Sequence, residues 1–453
     1  MDQHTQFYKI AMKTTSVKPT AQVAYHMLEA QLVGHKFGLV QSLQTRFPYP
    51  GEPPIYTAEA RLSYLAHDFG LKQIKVGGSG AALDESHARI SALCESVERY
   101  CLNADRSDII ADTYGNISQR FNALNPATCP LFHPDQYPVV GVDPFTPDTK
   151  IAWTWAVALP QGSPILIPAE FVYLRHPALP EECHLVTTIS TGAACGSSAA
   201  DATVRGIYEI VERDAMMIMW LNRFPVPRLL VASQSNLGQF IARYLRPTTL
   251  GYRLFWLTND LQIPACMAIL LEGQPGKQRI FVGLAANLNP EKAAMNALME
   301  AVEVRLGIFN LREMEEAIAV PEAINNVHKH AVYYGQQDRT QLLDFLLNTP
   351  NSIELAAIPD KATDEPQADL NTCLEYCSQA GQDVFVADLT KEDIRPFGLR
   401  VVRVIMPGMQ RLTTNHNTPY LGNMRPSTVP VQLGWRTQPL AWTEFNQDPH
   451  PFI

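Results

Sequence analysis

The sequence predicts a mixed α/β (α+β) fold in which three similar helices, each entered from a strand through a small-residue turn, converge on one acidic site. Three observations carry this. A seven-residue pattern of small, aliphatic, any, Glu, any, Val, Glu recurs at residues 92–98 (ALCESVE), 206–212 (GIYEIVE) and 297–303 (ALMEAVE). On each helix the two Glu fall on one stripe, away from the aliphatic face. Between the helices lie short apolar runs rich in β-branched and aromatic residues, which read as strands.

In chain order, residues 1–60 show little periodicity and end in the Pro-rich FPYPGEPPIYT, which reads as an N-terminal arm or small subdomain. KQIKVGGSGAALDES then reads as a strand and a Gly-rich turn at Gly77, Gly78 and Gly80, leading into the first helix from about Asp84 to Leu102. The turn is not a P-loop, because no Gly-Lys-Ser/Thr follows. Six prolines make residues 125–148 an irregular connection, after which IAWTWAVAL and ILIPAEFVYL pair as a hairpin through PQGS. TTISTGAACGSS turns into the second helix, and Ser198-x-x-Asp201 reads as its capping box. YRLFWLTND, ACMAILLEG and RIFVGLAAN read as strands, and Pro290 opens the third helix where proline is favoured. Residues 306–350 read as helix broken near Pro321, 351–371 as a polar loop, and DVFVADL and LRVVRVIM as two further strands. The end, with Pro426, Pro430, Pro439, Pro449 and Pro451, is expected to form no helix. The domains expected are an arm (1–60), a catalytic domain (61–425) and a Pro-rich tail (426–453).

The polar stripes are His87, Ser91, Glu95 and Glu98; Asp201, Arg205, Glu209 and Glu212; and Lys292, Asn296, Glu300 and Glu303. Glu at i and i+3 on one helix is ordinarily a solvated face; three matching registers argue that six side chains meet. Carboxylates that close repel, and persist only with bound cations or raised pKa values. An all-oxygen ligand set without Cys or His suits Mg²⁺, which bridges carboxylates to phosphates.

A net charge of −9 with no Lys/Arg run disfavours nucleic acid or an anionic membrane as partner. No apolar run approaches the ~20 residues of a membrane helix, and the first residues lack a signal-peptide core. A soluble, cytoplasmic protein is expected, and its eight scattered Cys read as reduced, buried thiols.

These motifs resemble the YcaO family, over roughly residues 62–453. The likeness rests on S-A-x-x-E-x-x-E-R at 91–99, E-x-x-E-R-D at 209–214 and the small-residue turn before the second helix; the VIMPGMQ segment and a Pro-His-Pro-Phe-Ile end look like the D subunits of azol(in)e-forming peptide synthetases. The resemblance implies a YcaO-type fold with ATP and Mg²⁺ among the Glu helices: Glu95, Glu98, Glu209 and Glu212 on the metal, Ser79, Ser91, Ser197 and Asp201 toward the nucleotide, and Arg213 near the γ-phosphate. Lys292 stands in for the basic residue that many members have where this chain has Asn296, and Gly-Ser-Gly replaces the frequent Gly-Lys-Gly at 78–80. Pro449, Pro451 and Ile453 match the tail that reaches the active site, with Ile453 in place of a terminal proline. The implied reaction is ATP-dependent cyclodehydration of Cys, Ser or Thr in a precursor peptide. The implied partners are a ThiF/E1-like leader-binding subunit and an FMN-dependent azoline dehydrogenase, with this chain as a homodimer inside a hetero-oligomer. The rival readings are thioamidation or methylthiolation support by the same ATP site, a substrate-presenting subunit without catalysis, and an unrelated carboxylate metallohydrolase.

Overall fold

Each Glu helix lies on a sheet of its own, which is how a single chain aims three separate stripes at one point. The computed structural model describes residues 21–36, 38–48, 51–63, 77–129, 131–177, 179–311, 318–363 and 365–453. The expected strand over KQIKV, part of the arm and Pro50 lie outside these residues.

The first sheet is an antiparallel meander of β1 (Val40–Arg46), β2 (Tyr56–Leu62) and β3 (Gly77–Ala82). Helix α1 (Ala21–Leu32) precedes it and α2 (Glu85–Cys101) covers it, with the Asp84 carboxylate capping the first turn of α2. The strand β2 runs through residue 60. Gly77, Gly78 and Gly80 form no turn, contrary to expectation: they are strand residues of β3. Close approach is the reason, since a Cβ on Gly78 would stand 2.3 Å from the Ala92 carbonyl oxygen and one on Gly80 2.3 Å from that of Ala88.

The long sheet runs in the order β4 (Ile110–Thr113), β5 (Lys150–Leu159), β13 (Val384–Asp388), β14 (Arg400–Ile405), β7 (Ala193–Gly196), with β6 (Ser163–Pro168) hairpinned on β5 as expected. β6 stops at Pro168, where the rest of the expected strand becomes the helical turn Ala169–Val172. Helix α3 (Ala199–Asn222) packs on β14 and β7. Its Ser198 N-cap accepts the Asp201 N–H at 3.1 Å, but the Asp201 carboxylate turns to the Ser197 N–H, 2.9 Å away, rather than closing the expected box.

The remaining sheet orders β11 (Arg279–Ala286), β10 (Ala265–Glu272), β9 (Gly251–Trp256), β8 (Arg228–Leu230) and β12 (Ser352–Glu354), antiparallel except for the parallel β8–β12 pair. Helix α4 (Pro290–Leu311) opens at Pro290, as expected, and lies on β10 and β11. β12 falls within the expected loop, which ends where α6 (Pro366–Gln379) begins, and α5 (Val327–Gln336) is the helix beyond Pro321.

The Pro-rich end does form a helix, α7 (Arg425–Gln432), against expectation. Pro426 sits in its first turn, where the missing N–H had no intrahelical partner, so only Pro430 removes a bond from an eight-residue segment. All eight Cys are free; five are buried as expected, whereas Cys183 is exposed and Cys94 and Cys195 are half-buried.

A charged knot joins this end to α3. Asp214 is fully buried and accepts two 2.7 Å bonds from Arg425 and one from the Gln410 N–H, while Arg425 also reaches Asp260 at 2.7 and 2.9 Å. Removing one partner of such a buried pair leaves the other charge uncompensated, a cost of about 3–5 kcal/mol. Asp214→Ala is therefore expected to lower the unfolding free energy by about that amount in urea titrations; a loss below about 1 kcal/mol would show that Asp260 alone satisfies Arg425.

Candidate active site

The small residue that opens each repeat is what lets its helix lie against a strand. Ala92 meets Gly78, and Ala297 meets Gly283, where an added Cβ would stand 2.2 Å from the Ala297 carbonyl oxygen. Gly206 rests against the Gly192 carbonyl in the same way. Three residues further along, the first Glu of each repeat meets a main-chain N–H of that strand or of the turn before it. Ser79 N donates to Glu95 at 2.7 Å, Gly192 N to Glu209 at 2.7 Å and Leu284 N to Glu300 at 2.5 Å. Glu212, a second Glu, takes the Ala286 N–H at 3.1 Å.

The six carboxylates close into a ring of electrostatic neighbours: Glu95 with Glu98, Glu98 with Glu209, Glu209 with Glu212, Glu212 with Glu300, Glu300 with Glu303, and Glu303 with Glu95. Burial, reinforced by these like charges, drives Glu98 and Glu212 well above the ordinary carboxylate range. The same causes push Glu300 up to about 8 and Glu303 to about 7. Arg99 pairs with Glu95 at 2.9 Å, and Arg213 with Glu209 at 2.8 Å and with the Thr191 hydroxyl.

Of the four expected metal ligands, Glu95 and Glu209 thus spend both oxygens on protein donors. Among the described residues no donor bonds Glu98 or the second oxygens of Glu212 and Glu300. Unpaired hard oxygens with raised affinity for positive charge fit Mg²⁺. Glu300 and Glu303 belong to the ring although the resemblance does not imply them as metal ligands.

Ser79, Ser91 and Ser197 are exposed, Ser79 at Glu95 and Ser197 through 2.9 and 3.1 Å bonds to Asp201. Asp201 gives its other oxygen to Arg205 at 2.9 Å; burial raises its pKa, but Arg205 and Ser197 outweigh this and hold it low. Lys292 is exposed on α4, two turns before Glu300, a separation of about 12 Å along the axis.

The tail is seated. Trp220 Nε1 donates to the Asp448 carbonyl at 2.9 Å, the Tyr334 hydroxyl to that of Pro449 at 2.5 Å, and His330 Nδ1 to that of His450 at 2.9 Å. The imidazoles of His330 and His450 stack with centroids 3.9 Å apart, and His450 Nε2 donates to the Thr413 carbonyl at 2.6 Å. Pro449 and Pro451 are buried, Phe452 is fully buried with the Arg213 guanidinium 5.8 Å from its ring centre, and Ile453 packs on the apolar cluster of α4.

Sequence reasoning missed Arg403 and Arg411. Arg403 interrupts the apolar run of β14, and that interruption was the available signal. It is buried and bonds the carbonyls of Phe171 and Ile189 at 3.1 and 2.8 Å.

The mixed α/β scaffold gathers six carboxylates into one electrostatic neighbourhood beside the guanidinium groups of Arg99 and Arg213. The chain belongs to the YcaO cyclodehydratase family, enzymes that bind ATP and Mg²⁺: residues 79–410 match that family. The fold is similar to that of a heterocyclase solved with substrate and cofactor (TM-score 0.79, 24% identity, 99% of this chain and 60% of that one). It is also similar to YcaO from Methanopyrus kandleri bound with AMPPCP and Mg²⁺ (TM-score 0.62, 20% identity, 86% and 90%). A third likeness is to the E. coli microcin synthetase McbBCD complex with pro-MccB17 bound (TM-score 0.55, 15% identity, 84% and 91%). This chain thus spans about 60% of the first heterocyclase chain. Among the described residues no helix is long and apolar enough to cross a membrane.

The raised carboxyls have a thermodynamic signature. With folded values near 7 and 8 for Glu303 and Glu300, against an ordinary value of about 4.3, the folded state holds more protons than the unfolded one. Their contribution to stability is therefore present at low pH and is lost as pH rises from about 4.5 to about 8. Denaturant titrations without divalent cations should show this decline, and Glu300→Gln/Glu303→Gln should flatten it; an unaltered slope in the double variant would assign it elsewhere.

Proposed function

We propose that this chain is the cyclodehydrating subunit of an azol(in)e-forming peptide synthetase, converting Cys, Ser or Thr of a precursor peptide to thiazoline or oxazoline. The observation that carries it is the ring of six carboxylates with the C-terminal tail seated against the arginine that pairs with it. A bare carboxylate site would serve any metallohydrolase; the family relationship and the docked tail favour peptide cyclisation.

Glu98 and Glu212 would offer a cation their unbonded oxygens, with Glu300 beside them and Glu95 and Glu209 completing the ligand set that the resemblance implies, and Ser79, Ser91, Ser197 and Asp201 would line the nucleotide. Arg213, fixed by Glu209 and Thr191, would face the γ-phosphate, and Lys292 would supply the charge missing at Asn296. Bound there, Mg-ATP supplies a phosphoryl group that makes an amide oxygen, otherwise a very poor leaving group, depart as phosphate. The peptide's own thiol or hydroxyl forms the new bond to the preceding carbonyl carbon and gives up its proton. The amide nitrogen loses a proton as the C=N bond forms and phosphate leaves. The tail carries the Ile453 carboxylate toward the site as a proton acceptor, with Pro449 and Pro451 holding it extended.

The similarity to a microcin synthetase complex supports partner subunits. We assign leader recognition to a ThiF/E1-like subunit and oxidation to an FMN-dependent dehydrogenase, with this chain a homodimer in the assembly.

Glu98→Gln and Glu209→Gln are expected to abolish ATP turnover while the melting temperature of the ligand-free protein holds or rises, since each takes one acid out of the crowded ring without disturbing the apolar face of its helix. Wild-type turnover in both would sink the assignment. Deleting residues 451–453 is expected to leave ATP binding intact and to slow loss of water from the peptide at least tenfold, about 1.4 kcal/mol in barrier, as followed by mass spectrometry with the partner subunits present. Full heterocycle formation by the truncated chain would show that the tail serves folding alone.

A further inference from the structure

Two guanidinium groups, that of Arg403 on β14 and that of Arg411 beyond it, make no ion pair among the described residues. Arg403 is only 4% exposed. Its Nε and Nη2 are spent on the carbonyls of Phe171 and Ile189, but Nη1 is buried with no partner. Arg411 lies with its guanidinium carbon 4.5 Å from the centre of the Phe171 ring, and among the described residues nothing accepts a hydrogen bond from its side chain. Both cations therefore flank one residue, Phe171, one at its carbonyl and the other at its ring.

A purely structural role accounts for part of this. Arg403 pins two loop carbonyls, and a cation over an aromatic ring is worth about 0.5–2 kcal/mol. Neither explains a buried N–H left orphaned, nor two like charges held near each other, when an unpaired buried ion costs several kcal/mol. An arginine cannot shed its proton to escape that cost. Glu98 and Glu209 lie within electrostatic reach of Arg403 without contacting it, and Glu170, within reach of Arg411, spends its oxygens on His184 and the N–H groups of Leu185 and Val186. Carboxylates and guanidinium groups within electrostatic reach of one another have the polarity that a cation-bound phosphate would bridge. Guanidinium N–H pairs match tetrahedral oxyanions in geometry as well as charge.

We propose that Arg403 and Arg411 form a seat for a phosphate-class oxyanion next to Glu98 and Glu209. The proposal rests on the functional reading above, in which a phosphoryl group leaves the nucleotide. That group reaches the seat either as the terminal phosphate of bound ATP or, after transfer and release, as orthophosphate.

The test uses the full chain, Arg411→Gln and Arg403→Gln, with isothermal titration of three probes: Mg-ADP, a non-hydrolysable Mg-ATP analogue, and orthophosphate added to the Mg-ADP-loaded protein. Arg411→Gln is expected to weaken orthophosphate at least tenfold and to leave Mg-ADP within threefold. A matching loss for the triphosphate analogue places the seat at the terminal phosphate before transfer; an unchanged triphosphate affinity places it after. Arg403→Gln releases two carbonyls and can unfold locally, so Arg411, which makes no hydrogen bond to lose, is the decisive position. Orthophosphate and triphosphate affinities both unchanged in Arg411→Gln, or no orthophosphate binding by the wild type with triphosphate affinity unchanged, overturns the seat. Failure of the wild type to bind Mg-ADP would instead sink the functional reading, and orthophosphate alone would then be titrated into the nucleotide-free chain, where equal binding by wild type and Arg411→Gln overturns the seat.

Discussion

Mutual repulsion among six carboxylates is the constraint on which this architecture turns. At close range in a medium less polar than water, such a ring opposes folding unless its charge is neutralised or its geometry fixed by other forces. Both devices are present. Protonation of Glu98, Glu212, Glu300 and Glu303 is favoured by burial, and four of the six side chains are tied to main-chain N–H groups, those of Ser79, Leu284 and Ala286 in strands and that of Gly192 in the turn before β7. The strands thus do more than support the helices: they supply the donors that hold the acids in place.

That requirement explains the glycines. A helix whose Glu must reach a strand N–H has to lie closer to the strand than an ordinary side chain permits, and the close approaches at Gly78 and Gly283 provide it. The repeat is accordingly one of docking geometry, with a small residue at the contact and a Glu one turn later, imposed three times on three sheets of different strand order. Gly206 puts the small residue on the helix itself, which achieves the same approach from the other side.

The chain end is tied to the same centre by other means. The Asp214–Arg425–Asp260 knot fixes where the tail sets out, directly after the E-x-x-E-R motif of α3, and the stacked His330 and His450 fix where it arrives. Burial and the neighbouring imidazole lower the pKa of His450, and burial that of His330, so the stack is one of neutral rings bonded to main-chain carbonyls. Phe452 then lands beside Arg213, which already holds Glu209.

Periodicity and turn chemistry within single segments were enough to specify the three Glu registers, the start of α4 at Pro290, the hairpin of β5 and β6, and the acids that could meet. They were not enough to show that Gly77 to Gly80 run as strand, since that depends on the approach of a helix that no local window contains. Nor did they reveal the helix over the Pro-rich 425–432, which the buried Asp214 holds by Arg425 from 211 positions away. Which two Glu already face arginines, and which arginines in an apolar strand lack an anion, were settled only when distant segments packed. Pairwise contact between charges is a property of the folded arrangement, and no local pattern encodes it.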